Sequence, residues 1–194
     1  MKKLIFLSLL LIFSCSSDNE NSCTPVACLN GGTQTADCAC DCPDGYSGSD
    51  CSSQLTPTSI RILRLNVKKF PNTTENGNVW DEIAIGSATN PDLQLDIRNS
   101  SDEVIYSSDV LDDRISSGNC DDENYFYPDI LLVGSDVTSP LDFFLYDEDT
   151  TGWEYIGGSV NVVLYNSDNN FPNTLILGEC SGIGVFEIYV EYTW

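Results

Sequence analysis

The sequence contains no histidine and has few basic residues. Its 194 residues include 8 lysines and arginines against 30 aspartates and glutamates, which gives a formal net charge of -22 at pH 7. Imidazole acid–base catalysis and histidine-ligated zinc are therefore excluded. The excess of negative charge repels nucleic acid and anionic lipid head groups, and it favours divalent cations or basic partners.

The N-terminal apolar run is too short to span a bilayer. It extends from Leu4 to Phe13 and is interrupted only by Ser8, whereas a transmembrane helix needs about 20 apolar residues. The run follows Met-Lys-Lys and ends before Ser14. A basic start, a short apolar core and a small residue are typical of a secretory signal, so residues 1–14 are predicted to be a signal peptide.

Cys15 directly follows this signal. The sequence IFSC at residues 12–15 resembles the lipobox of bacterial lipoproteins, which implies a lipoprotein signal peptide and acylation of Cys15 after cleavage. Two or more acyl chains attach a protein stably to a lipid bilayer. The alternative is an ordinary cleaved signal followed by an unmodified cysteine.

A short polar segment follows the acylation site. Residues 15–22 contain Asp18 and Glu20 among serines and asparagines, and we predict that they form a lipidated, flexible tether. The segment resembles the acidic tethers of surface-displayed bacterial lipoproteins, which implies an outer-membrane lipoprotein exposed on the cell surface. A periplasm-facing position is the alternative.

Six of the nine cysteines fall within residues 23–51. A segment this short cannot bury enough apolar surface to fold, and disulfides are the usual substitute. We therefore expect a disulfide framework in this exported segment, although spacing alone does not choose among the pairings. The two cysteines left over, Cys120 and Cys180, are expected to pair with each other.

The cysteine-rich segment contains CLNGGT at residues 28–33 and CDCPDGYSGSDC at residues 40–51. These motifs resemble an epidermal-growth-factor-like (EGF-like) module over residues 23–51. The resemblance implies the disulfides Cys23–Cys38, Cys28–Cys40 and Cys42–Cys51. Only Ala39 separates the third and fourth cysteines, where calcium-binding members place ligands, so we expect no calcium site here. The module is interpreted as a rigid spacer, with a protein-binding module as the alternative.

After a polar linker over 52–58, the sequence predicts one β-rich domain over 59–194. Short runs of alternating apolar and polar residues are separated by clusters of Asn, Asp, Gly and Pro, which is typical of an antiparallel β-sandwich. No long stretch shows helical periodicity. The predicted strands are 60–67, 93–97, 130–133, 141–146, 160–165 and 186–192.

The most informative motif of this domain is YDEDTTGWEYIG at residues 146–157. It resembles the third calcium loop of C2 domains, the calcium- and phospholipid-binding β-sandwiches. The resemblance implies a C2-like fold in which Asp147, Asp149 and Glu154 are Ca²⁺ ligands, and Asp81 and Asp92 match the ligands of the first loop. Calcium takes about six to eight oxygen ligands, which carboxylates on adjacent loops can supply. The alternative is that these are solvated turn residues.

The leading hypothesis is a non-catalytic, membrane-anchored binding or adhesion protein that uses calcium and recognises an unknown protein or glycan. It rests on the anchor, the spacer module and the acidic loops of the sandwich. Two alternatives stay open. One is a carbohydrate-active enzyme that uses an acidic pair such as Asp147 and Glu154, and the other is a purely structural cell-envelope protein.

Overall fold

The structure is a computed structural model that describes residues 26–81, 89–149, 152–182 and 184–194. The predicted signal peptide, the tether with Cys15, and Cys23 lie outside the described residues. Lipidation and the Cys23–Cys38 disulfide therefore stay predictions. Within the described ranges, no helix is both long enough and apolar enough to cross a membrane.

The cysteine-rich region consists of two short antiparallel hairpins. Strand β1 (Thr33–Gln34) pairs with β2 (Cys40–Asp41), and β3 (Tyr46–Ser47) pairs with β4 (Ser53–Gln54). None of the residues in these four short strands is fully buried, and an isolated two-stranded hairpin is marginally stable at best. The region therefore depends on covalent links.

Two disulfides stabilise the region, one at each hairpin. Cys28 bonds to Cys40 and Cys42 bonds to Cys51, with Cα–Cα distances of 5.7 and 5.4 Å. Both are pairs that the EGF-like resemblance implies. Cys38 is also disulfide-bonded.

Nine strands of the described chain form the larger β-rich region. They are separated by turns and by a 3-10 helix over Gly134–Thr138. In chain order the strands are β5 (Ser59–Lys69), β6 (Leu93–Arg98), β7 (Val104–Ser107), β8 (Tyr125–Phe126), β9 (Ile130–Val133), β10 (Leu141–Asp149), β11 (Gly152–Val162), β12 (Thr174–Leu177) and β13 (Val185–Thr193).

The strands form two sheets that pack into a sandwich. The first sheet has the order β11-β10-β6-β7, and the second has the order β12-β13-β5-β8 with β9 also paired to β5. Every strand pair in the two sheets is antiparallel. The predicted mainly β fold, a disulfide-rich region followed by an antiparallel sandwich, is confirmed.

The core lies between the two sheets, and its apolar residues occupy alternate positions of the strands. On β10, Leu141, Phe143 and Leu145 are buried, while the residues between them lie on the outer face. On β5 the buried positions change parity between Ile62 and Leu65, and the pairing with β13 is irregular at this point. A bulge of one residue explains the change, because it turns the following side chains to the opposite face.

Most predicted strands are present, and the largest difference is at β11. The sequence predicts a strand over 160–165, whereas β11 begins at Gly152, inside the predicted calcium loop, and ends at Val162. Exposed residues dominate β11 because it is an edge strand, so its sequence lacks the apolar alternation used to predict strands. The sequence also misses the short strands β7, β8 and β12.

A further disulfide joins two loops of the sandwich. Cys120 bonds to Cys180 across 60 residues of sequence, as expected from the two cysteines left over. Lys69, at the end of β5, donates a hydrogen bond from Nζ to the Cys180 carbonyl oxygen at 2.6 Å. The disulfide thus links the loop before β8 to the loop before β13 beside the end of the second sheet.

The cysteine-rich region packs directly against the sandwich. Tyr46 meets Phe171 edge-on with ring centroids 5.4 Å apart, and Phe171 meets Trp194 at 4.2 Å. Gln54 donates from Nε2 to the Asn166 carbonyl oxygen at 3.0 Å. Gln54 lies within the predicted linker 52–58, so part of that stretch is a strand and contributes to the contact between the two regions.

Candidate metal centre

Three aspartates converge at one end of the sandwich, and we call Asp81, Asp147 and Asp149 the acidic cluster. Asp147 and Asp149 occupy alternate positions at the end of β10, so both side chains lie on the same side of the strand. Asp81 follows Trp80, whose buried ring donates its indole N–H to the Pro71 carbonyl oxygen at 2.8 Å. This anchored tryptophan sets the position of the neighbouring carboxylate.

The spacing of the acidic cluster suits a single cation. One carboxylate oxygen from each of the three aspartates lies within 4.8 Å of the other two. Two oxygens that bind the same calcium ion at roughly 2.3–2.6 Å can be no more than about 5 Å apart. The three side chains can therefore reach one ion without a change in the strands that position them.

Asp147 is the most unusual member of the acidic cluster. Its side chain is completely buried. Its Oδ1 accepts a hydrogen bond from the Asp92 backbone N–H at 2.7 Å, whereas its Oδ2 is buried without a hydrogen-bond partner in the part of the chain that the structure describes. A buried carboxylate oxygen without a partner is costly. A bound cation would remove that cost, so the residues present fit a metal ion.

The proximity of the carboxyl groups shifts their pKa values upward. Burial raises the pKa of Asp81 to about 7, with a hydrogen bond to Asp149 and the charges of Asp147, Asp149 and Asp92 acting in the same direction. Burial raises the pKa of Asp147 to about 6, against the effect of the Asp92 N–H, and the charges of Asp149, Asp92 and Glu154 add to it. The acidic cluster thus binds protons where a cation could bind instead.

The other two predicted ligands, Asp92 and Glu154, lie outside the acidic cluster. Asp92 uses its Oδ1 to accept the Asp113 backbone N–H at 2.6 Å. Its carboxylate therefore braces the neighbouring loop while its own N–H orients Asp147. Glu154 lies opposite Asp147 in the register of β10 and β11, but it is exposed.

The structure also brings together four aromatic side chains that were not predicted from the sequence to form a surface. Phe144, Tyr146, Trp153 and Tyr155 lie on the outer face of the first sheet, and neighbouring ring centroids are 6.0–6.4 Å apart. We call these four side chains the aromatic platform. The sequence signal is the placement of aromatic residues at alternate positions of two consecutive segments, but it becomes visible only when the register of β10 and β11 is known.

Comparisons with known proteins give structural neighbours and no sequence relatives. No protein-family model matches the chain, and no curated protein matches it. A solved structure of a C2 domain is similar with a TM-score of 0.45 and 12% identity, covering 70% of this chain and 98% of that chain.

A calcium-bound structure of two C2 domains of extended synaptotagmin 2 is similar with a TM-score of 0.36 and 16% identity. This match covers 70% of our chain and 46% of the synaptotagmin chain. At these values both similarities concern the general shape of a β-sandwich and carry no functional argument.

Proposed function

We propose that this protein is a calcium-binding, non-catalytic binding protein held on the outer surface of a bacterial outer membrane by acyl chains on Cys15. The observation that supports the calcium site is the completely buried Asp147, a member of the acidic cluster whose Oδ2 has no hydrogen-bond partner among the described residues. Carboxylate oxygens are the ligands that calcium prefers in proteins.

Each member of the acidic cluster has a distinct part in the proposed site. Asp147 and Asp149 lie at the end of β10, and Asp81, the residue after the buried Trp80, contributes the third carboxylate. A bound calcium ion would supply two positive charges, which offset two of the three negative charges of the ionised carboxylates. By pairing with the buried Asp147 carboxylate and linking Asp81 to β10, the ion would stabilise this end of the sandwich.

The remaining features support a binding role at a membrane surface. The cysteine-rich region contacts the sandwich through Tyr46 and Gln54, which suits a spacer that holds the larger domain at a defined distance from its anchor. The net charge of -22 on the whole chain favours solubility and repels anionic head groups. The partner is a protein or a glycan.

Isothermal titration calorimetry with calcium tests the metal site. The wild-type protein should give heat on calcium addition after chelator treatment. Asp147→Asn and Asp149→Asn should each weaken binding at least about tenfold, because even a residue that supports a ligand typically contributes 10–100-fold to metal affinity. Asp112→Asn, which changes an exposed aspartate outside the acidic cluster, is the matched control and should bind as the wild type does.

Two results of this titration would contradict the proposed calcium site. Absence of heat in the wild type, with no rise in melting temperature on adding calcium, would remove the ion from the proposed function. Equal binding by the Asp147→Asn and Asp112→Asn proteins would place the calcium elsewhere on the acidic surface.

The anchor is tested separately from the metal. Mass spectrometry of the purified protein should find a mature N-terminus at Cys15 that carries acyl chains, and Cys15→Ser should release the protein from the membrane fraction. Protease treatment of intact cells should degrade the wild-type protein if it faces outward. An unmodified N-terminus, or full protection in intact cells, contradicts the corresponding part of the proposal.

A further inference from the structure

The aromatic platform is an exposed surface rather than part of the core. Trp153 is 55% exposed and Tyr155 is 57% exposed, both on the edge strand β11. Phe144 and Tyr146 continue the row of rings onto β10. Large aromatic side chains that remain exposed together, with polar groups around them, mark binding surfaces.

Polar groups border the aromatic platform along β6. The Arg98 guanidinium lies over the Phe144 ring at 5.2 Å, donates from Nη2 to the Tyr146 hydroxyl at 3.4 Å and donates from Nη1 to Asp102 at 2.9 Å. A planar, charged donor is thus fixed at the edge of the rings, in a position to meet hydroxyl groups of a ligand.

Two buried polar side chains beside the platform have unused hydrogen-bonding atoms. Asp96 lies opposite Phe144 in the strand register, and Gln94 lies opposite Tyr146. Both are at least nine-tenths buried, yet Asp96 Oδ1 and Gln94 Oε1 have no hydrogen-bond partner within the described ranges. Arg98 Nη2 is 3.8 Å from Asp96 Oδ2, and no described residue accepts a hydrogen bond from Arg98 Nε. Such a surplus of polar atoms is unusual for a plain structural face.

We propose that the aromatic platform and Arg98 bind a neutral polysaccharide, whose sugar rings stack on Trp153 and Tyr155 while hydroxyl groups bond to Arg98 and the tyrosine hydroxyls. The negative faces of aromatic rings attract the weakly positive C–H groups of a sugar ring. This inference names the partner of the proposed binding function. It rests on that binding role but not on the calcium ion.

Charge around the platform argues against an anionic ligand. Asp96, Asp102 and Glu148 lie on or beside the strands that carry the rings, and the whole chain has a net charge of -22. The guanidinium of Arg98 at the edge of the rings is already engaged by carboxylates. An uncharged chain avoids the repulsion that a sulfated or uronic-acid polymer would meet.

The size of the platform argues against a protein partner. Fully covered aromatic side chains bury roughly 150–250 Å² each, so the exposed halves of Trp153 and Tyr155 offer about 200 Å² together. A standard protein interface needs about 800 Å² from each partner. A narrow row of rings suits a slender polymer chain, which buries little area at each sugar.

Native affinity electrophoresis tests the proposal with the full-length protein. Gels contain hydroxyethylcellulose, laminarin, galactomannan or dextran as neutral probes, and polygalacturonate as the anionic probe. We expect at least one neutral polysaccharide to retard the protein and polygalacturonate to have no effect. Trp153→Ala and Tyr155→Ala should each weaken binding about tenfold or more, since each removes a stacking surface.

Tyr127→Ala is the matched control, because Tyr127 is 66% exposed and follows β8 of the other sheet. The electrophoretic mobility of the Tyr127→Ala protein should match that of the wild type in every gel. Failure of all four neutral polysaccharides to retard the wild type overturns the proposal. So does retardation that is unchanged in the Trp153→Ala and Tyr155→Ala proteins, with melting temperatures equal to the wild type. Self-association lost in those two variants would assign the face to a second copy instead, and it also overturns the proposal.

The same gels with chelator, and with Asp147→Asn, separate the two proposals. Retardation that persists under both conditions while calorimetry shows no calcium heat would reject the ion and keep the polysaccharide site. Normal calcium heat without retardation in any neutral gel would reject the polysaccharide site alone.

Discussion

The cysteine-rich region and the β-sandwich are stabilised in opposite ways. Within residues 26–51 the one fully buried apolar side chain is Cys51, and disulfides take the place of a core. The sandwich buries a continuous apolar cluster between its sheets, in which Leu95, Phe143 and Ile188 are completely shielded. Size explains the difference, because the fraction of apolar surface that a chain can bury increases with its length.

The contact between the two regions follows from this difference. Tyr46 has little apolar surface to meet inside its own region, and it packs on Phe171 of the sandwich. Phe171 is surrounded by further rings of the sandwich, among them Tyr165 and Trp194. The smaller region thus uses the surface of the larger one as an extension of its missing core.

The largest expected effect comes from a cavity in the sandwich core. Phe143→Ala removes a ring that is completely buried and should lower the free energy of unfolding by about 3–5 kcal/mol, measured by denaturant titration. Phe144→Ala is the matched control, since the neighbouring side chain lies on the outer face. The Phe144→Ala substitution should lower the free energy of unfolding by only about 1 kcal/mol. Equal losses of unfolding free energy in the two variants would contradict the structure, in which Phe143 is buried and Phe144 lies on the outer face of β10.

A smaller effect is expected where the two regions meet. Gly45 has φ +87, and a Cβ there would lie 2.7 Å from Phe171 and 2.8 Å from Trp194. Gly45→Ala should destabilise the protein by about 2–3 kcal/mol, because backbone strain adds to the clash. It should also increase protease cleavage in the cysteine-rich region.

The matched control for Gly45→Ala is Gly31→Ala. Gly31 has φ +83, but a Cβ there would meet no described atom within 4 Å, so only the strain of about 1–2 kcal/mol remains. If the two variants unfold at the same denaturant concentration, the aromatic contact between the regions contributes nothing to stability.

The smallest expected effect is a pH dependence of stability that arises from carboxyl groups of the sandwich. The folded protein keeps protons on Asp147 and Asp81 up to pH values of about 6 and about 7, whereas the unfolded chain releases them near 3.8. Without calcium, the contribution of these groups to stability should therefore fall as pH rises through this interval. In the cysteine-rich region, hydrogen bonds from Ser52 lower the pKa of Asp50, which is a shift in the opposite direction.

Melting temperatures of chelator-treated protein at about pH 5 and about pH 8 measure this effect. The decrease between the two pH values should be smaller in Asp147→Asn than in the wild type. Calcium should raise the wild-type melting temperature more at the higher pH, because protons no longer compete for the acidic cluster. A decrease of the same size in the two proteins would show that the general negative charge of the chain, rather than Asp147, causes the pH dependence.

Features that depend on local pattern could be predicted from the amino-acid sequence. Alternating residues predicted β6, β10 and β13, and the count of cysteines predicted the Cys120–Cys180 pair. The cysteine spacing and glycine turns predicted the Cys28–Cys40 and Cys42–Cys51 pairs through a family resemblance. These features are visible in sequence because period-two burial and cysteines that pair as disulfides leave direct marks on residue type and spacing.

Which polar and aromatic side chains meet could be learned only from the three-dimensional fold. It joins Asp81 to Asp147 and Asp149, while it assigns Asp92 to a loop hydrogen bond and leaves Glu154 exposed. It also buries Trp80 but places Trp153 on an open face, although both tryptophans lie next to acidic residues in similar sequence contexts. The physical reason is that strand register and sheet packing are set by contacts between distant segments, which no local pattern contains.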